Sequence, residues 1–148
     1  MVLALRGSDG LKPLKDKIAE RWLIAHETSG EYPREELDSF LNLYKKIKSK
    51  QMLFFGHSKR FHPNGSQGKS IKKLNQLRND FIHFLPQSWS LEVSGLPTIC
   101  LDSLSVIEFL CWESGNITWY EDEKAVLVES YLEQIGQNLT SIQKYYQY

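Results

Sequence analysis

The C-terminal third of the chain constrains its fold most. Ala125, Leu127, Val128, Tyr131, Leu132, Ile135, Leu139 and Ile142 recur every three or four residues, the interval that lays apolar side chains along one side of an α-helix. Thr118, followed three residues later by Glu121, resembles a capping box at its start. A long amphipathic helix must be covered by other elements. The alternation expected of a strand occurs only at Trp89, Leu91 and Val93, too little for a sheet. The expected fold is therefore all-α.

The rest of the chain supplies partners for that helix. Ser8 or Asp9 caps a helix expected over Leu11 to His26, with Leu14, Ile18, Trp22 and Ala25 on its inner stripe. Gly30-Glu31-Tyr32-Pro33 breaks it. Pro33 in a first turn, with Glu35 and Glu36 near the positive helix end, opens a second helix through about Lys48, with Leu37, Phe40, Leu41, Tyr44 and Ile47 inward. Met52 to Phe55 is a short apolar run, and Gly56 to Gly68 is a turn-rich loop. A third helix begins near Lys69 and ends before Pro86, because proline disfavours helical geometry in the residue ahead of it. A short extended segment or hairpin near 89–99 follows, then a fourth helix from Leu104 to about Glu113, capped by Asp102 or Ser103. A bundle of four or five helices in a single domain spanning 1–148 is the expected architecture.

Composition narrows the function classes. No run of 18 apolar residues and no leader-like segment is present, so a cytoplasmic protein without a membrane partner is expected. Cys100 and Cys111 stand apart without a CxxC pair, which speaks against a disulfide or a zinc site. His57 and His62 have neither cysteine nor carboxylate near them in sequence and are read as basic surface rather than metal ligands. No cofactor is expected.

Charge is balanced overall and uneven along the chain. From Ser39 to Asn79 there are ten basic residues and no Asp or Glu, whereas from Ser88 onward nine acidic residues face Lys124 and Lys144. Folded together, the acid-free stretch makes a field that attracts phosphate polymers. Lys59, Arg60, Lys69, Lys72 and Lys73 are the candidate RNA-binding residues. The alternative is a solvated helix face.

This basic stretch runs into Arg78-Asn79-Asp80-Phe81-Ile82-His83, set among Leu74, Leu77, Phe84 and Leu85 at helical spacing. At about 100° per residue, Asn79 and His83 lie one turn apart on nearly one line, and Arg78 is about 140° from His83. Histidine exchanges protons near neutral pH, and arginine offers a fixed fork of donors to phosphoryl oxygens. The alternative is an arginine paired with Asp80 or a nearby carboxylate and a histidine hydrogen-bonded at a helix end.

An Arg followed after four to six residues by His, with Asn, Asp or His directly after the Arg, is the motif of the HEPN superfamily. In Arg78, Asn79 and His83, and in the run Leu77 to Pro86 with Trp89 and Gly95-Leu96-Pro97, the chain resembles its plasmid- and phage-associated branch. The resemblance implies a metal-independent endoribonuclease with Arg78, Asn79 and His83 catalytic. It further implies RNA as substrate, a homodimer that pairs two motifs across one groove, and an antitoxin or regulatory protein as partner. In HEPN toxins silenced by nucleotidyltransferase antitoxins a Tyr stands two places after the motif His; here that position is Leu85. Two other readings keep the helical fold: a catalytically inactive module that binds RNA, nucleotides or a protein, and a helical subunit of a nucleotidyl-transfer complex.

Overall fold

The structure, a computed structural model, describes residues 1–7, 10–82 and 93–146. Among them are six α-helices and no strand: α1 (Val2–Leu5), α2 (Asp16–Thr28), α3 (Phe40–Ile47), α4 (Gln67–Ile82), α5 (Leu96–Glu108) and α6 (Asp122–Tyr145). The all-α fold follows the sequence. The chain divides into two compact units, Met1–His62 with Leu110–Ile117, and Pro63–Phe109 with Thr118–Tyr148.

The first unit packs α1, α2, α3 and a 3-10 turn, Lys50–Met52, around Leu5, Leu14, Ala25, Leu43, Tyr44, Ile47, Met52 and Phe61. The inner stripe of α2 lies where its periodicity puts it, with Ala25 buried and Ile18 and Trp22 half-buried. The helix starts at Asp16 rather than Leu11 because Leu14 is drawn into an isolated antiparallel bridge with Leu37. Lys15 N–H donates to the Glu36 carbonyl at 3.0 Å and Asp38 N–H to that of Pro13 at 2.9 Å. The same pairing keeps 33–38 out of α3. That helix opens at Ser39, whose hydroxyl accepts from Asn42 N–H at 3.3 Å, and Leu37, expected inward, is exposed. The expected cap at Ser8 or Asp9 lies outside the described residues.

The second unit packs α5 against α4 and α6, with Ile71, Pro97, Leu104, Val106 and Phe109 buried. Helix α5 begins at Leu96, eight residues before the expected start, so 96–99 are helical rather than extended. Pro97 stands in its first turn, where a fixed φ and a missing N–H suit the helix end; residues 89–92 of the expected segment lie outside the described residues. A π-helical turn, Phe109–Glu113, follows.

Helix α6 starts at Asp122 with Glu121 as N-cap and no side-chain cap bond, so the capping box from Thr118 does not form. Its apolar set divides. Ala125, Val128, Leu132 and Leu139 are half-buried, whereas Leu127, Tyr131, Ile135 and Ile142 are exposed. Among the described residues α5 is its main helix neighbour, and it covers only part of an apolar arc this wide.

Candidate functional site

Helix α4 carries most of the motif. Its N-terminal half is tied to α5 by polar bonds: the Ser66 hydroxyl donates to Asp102 at 2.8 Å, the buried Ser70 hydroxyl donates to the same carboxylate, and Gln67 Nε2 donates to Ser105 Oγ at 2.6 Å. The buried residues of α4 are Ser70 and Ile71. Leu74 and Leu77 are half-buried, and from Arg78 to Ile82 every residue is exposed.

Arg78 Nη1 donates to Asn79 Oδ1 at 3.4 Å. Among the described residues Arg78 makes no ion pair, with Asp80 or any other carboxylate. His83 lies outside the described residues.

Lys69, Lys72 and Lys73 are exposed on the same helix. At about 100° per residue, Lys69 and Lys73 lie within ~40° of each other and Lys72 within ~60° of Lys69, whereas Arg78 is about 180° from Lys69. Asn79 falls within ~20° of Lys72. The helix brings the three lysines together and puts Arg78 on its other side. Lys59 and Arg60 belong to the first unit, the former exposed and the latter half-buried.

The acid-free stretch is not uniformly free charge. Lys46 is buried, its ammonium 2.9 Å from Asp38 Oδ2, 3.0 Å from Asp16 Oδ1 and donating to the Leu14 carbonyl at 2.7 Å. Burial works against the Asp38 carboxylate, but hydrogen bonds from Lys46, Asn42 and the Ser39 N–H hold its pKa below the ordinary value. Burial likewise opposes charge on Lys46, and Asp38 and Asp16 hold its pKa above the ordinary value. A groove of about 570 Å³ opens there, lined among others by Asp16, Asp38, Lys45 and Lys50, but its carboxylates are engaged by Lys46. The spacing of Asp38, Asn42 and Lys46, one turn apart each, was the sequence signal for this cluster.

Among the described residues no group of three or more His, Cys, Asp or Glu side chains comes together to hold a metal ion, and no helix is long and apolar enough to cross a membrane. Cys100 and Cys111 are free thiols; burial pushes the pKa of Cys111 up.

No protein-family model matches the chain, no curated protein is significantly similar to it, and no solved structure matches it.

Proposed function

We propose that the protein is a metal-independent endoribonuclease, cleaving RNA by attack of a 2′-hydroxyl on the neighbouring phosphate in a site composed from two copies of the chain. The observation that carries this reading is an exposed Arg78, beside Asn79 at the end of α4 and without an ion pair among the described residues. A guanidinium without a carboxylate partner keeps its charge unoffset and most of its five donors for a phosphate.

In the reaction one His83 takes the 2′-hydroxyl proton as the O2′–P bond forms. The P–O5′ bond breaks, and a second His83, from the partner copy, protonates the departing 5′-oxygen. Arg78 stabilises the charge that builds on the phosphoryl oxygens, and Asn79 orients His83 or a phosphate oxygen. The products carry a 2′,3′-cyclic phosphate and a 5′-hydroxyl. One motif histidine per chain, where the reaction needs both an acid and a base, is the reason for two-fold pairing. The second unit has apolar surface for a second copy to cover: Ile82 beside the motif, and Leu127, Tyr131 and Ile135 on α6, are exposed.

The test is the rate of cleavage of single-stranded RNA by the purified protein in EDTA. His83→Ala is expected to lose about 10²- to 10⁴-fold, and Arg78→Ala a comparable factor. A second reading, a module that binds RNA without cutting it, is favoured by the separation of Lys69, Lys72 and Lys73 from Arg78 around α4. RNA bound by the wild type but left intact would select it.

A further inference from the structure

Between α3 and α4 runs the segment Phe54-Phe55-Gly56-His57-Ser58-Lys59-Arg60-Phe61-His62, in which aromatic and basic side chains interleave. It has no regular secondary structure beyond turns, yet its backbone is anchored along its length. Ser58 N–H donates to the Phe55 carbonyl at 3.0 Å, Lys59 N–H to that of Ser114 at 2.9 Å and Phe61 N–H to that of Ile47 at 3.0 Å. The Ser58 hydroxyl accepts from Phe55 N–H at 2.9 Å and donates to Asn116 Oδ1 at 2.6 Å. Asn116 Nδ2 in turn donates to the carbonyls of Ala4 and Met52, at 3.0 and 2.7 Å.

On this frame the rings of Phe55 and His57 stack nearly parallel, 8° apart in plane with centroids 5.4 Å apart. His57 is held from behind. Its Nε2 lies 3.0 Å from the Gly115 carbonyl, which only accepts, so Nε2 is the donor of that bond. Gly115 has φ +71°, and a Cβ there would come within 2.8 Å of His57 Cδ2. Gly7, at φ +53°, gives the same room to Phe54, whose ring would lie 2.6 Å from an added Cβ. The chain thus spends two left-handed glycines on seating aromatic residues of one loop.

Phe61 is buried in the core, but Phe55 remains 51% exposed. An apolar ring held by its backbone and backed by a second ring, yet open to water, has no packing task that demands its exposure. In the same segment Lys59 is exposed and Arg60 half-buried, and Lys12 sits 3.9 Å over the Phe54 ring. The segment packed against the loop, 110–117, has one acidic side chain, the exposed Glu113. Flat π faces joined by phosphates match this surface, and a duplex hides those faces while a single strand offers them.

We propose that the Phe55–His57 stack is a binding platform for single-stranded nucleic acid, with one base stacked on Phe55 and the flanking phosphates at Lys59 and Arg60. The platform belongs to the first unit and does not depend on whether Arg78 and His83 cut RNA.

Fluorescence anisotropy of the full chain with labelled oligo(U), oligo(dT) and a DNA duplex tests it. Oligo(dT) lacks the 2′-hydroxyl, so its binding is read without cleavage. Phe55→Ala is expected to weaken binding of both single strands by about 5- to 150-fold. Phe55→Leu, which keeps apolar bulk but no ring, should weaken it too, and Phe55→Trp should retain it. Replacing Lys59 and Arg60 by Gln should lower the slope of log K against log salt by about 1.4. Unchanged affinity in Phe55→Ala or Phe55→Leu, or a duplex bound as tightly as the single strands, would overturn the platform.

Discussion

Replacing Lys46 by Met removes a buried cation and leaves most of the lysine's apolar stem in place. In the folded protein the Lys46 and Asp38 side chains are each 9% exposed, while Asp16 is 81% exposed. The change strips Asp38 Oδ2 of its ion partner and the Leu14 carbonyl of its donor; Asp38 Oδ1 keeps the Ser39 N–H and Asn42 Nδ2, both at 2.8 Å. A carboxylate left buried without its cation costs about 3–5 kcal/mol. With a urea dependence of about 1–3 kcal/mol per molar, the midpoint of the first unit should fall by ~1 M or more, followed by circular dichroism. Asp16→Ala should cost under ~1 kcal/mol, because that pair is screened by water. The double change Lys46→Met with Asp38→Leu should recover most of the loss, since no charge is then buried alone. A Lys46→Met protein within ~1 kcal/mol of wild type, or a double variant weaker than the single one, would refute the reasoning.

The same pair sets a pH signature. Asp38's contribution is whole above its ordinary value of 3.8 and disappears as pH falls through its lower folded value; that of Lys46 is whole below 10.5 and disappears as pH rises through its higher folded value. In urea titrations at several pH values, the difference between wild type and Lys46→Met should therefore shrink toward both extremes. Asp102→Ala leaves the buried Ser70 hydroxyl without its acceptor. It should cost about 1–3 kcal/mol, with faster hydrogen exchange along α4. Gly115→Ala combines a left-handed φ with a close approach to His57. It should destabilise the first unit by about 1–2 kcal/mol and weaken oligonucleotide binding in the anisotropy assay. The triple change of Lys69, Lys72 and Lys73 to Ala should lower the salt slope of RNA binding by about 2; an unchanged slope would make these lysines ordinary surface.

Local periodicity carried much of the fold. The stripe of α2 and the run of α4 were legible because each depends on residues three or four apart. What misled were contacts between distant residues. Leu14 pairs with Leu37, which shortens both α2 and α3, and nothing local in Pro33-Arg34-Glu35-Glu36 announces it. Leu96 begins α5 because Pro97 suits a first turn, a signal present in the sequence and outweighed there by the alternation of Trp89, Leu91 and Val93. The periodicity of α6 identified the helix but not its inward side, since an apolar arc wider than one neighbour leaves part of itself exposed. At the candidate site, spacing singled out Arg78 and Asn79, while their exposure depends on where the packing of α4 stops. The acid-free charge distribution put Lys46 in the basic field, whereas Asp38, one residue before that stretch, and Asp16 claim it. The stacking of Phe55 on His57 was beyond sequence reasoning because its support, Gly115, stands 58 residues further along.

The central proposal concerns the chemistry of Arg78, Asn79 and His83, and the ends of the products report on it most directly. Mass spectrometry of fragments from a synthetic single-stranded RNA, incubated with purified protein in EDTA, distinguishes the routes. Attack by the 2′-hydroxyl predicts fragments ending in a 2′,3′-cyclic phosphate paired with fragments beginning in a 5′-hydroxyl, absent with His83→Ala and absent where the nucleotide at the cut lacks its 2′-hydroxyl. Fragments with 5′-phosphates, or the same fragments from His83→Ala at the wild-type rate, would contradict it.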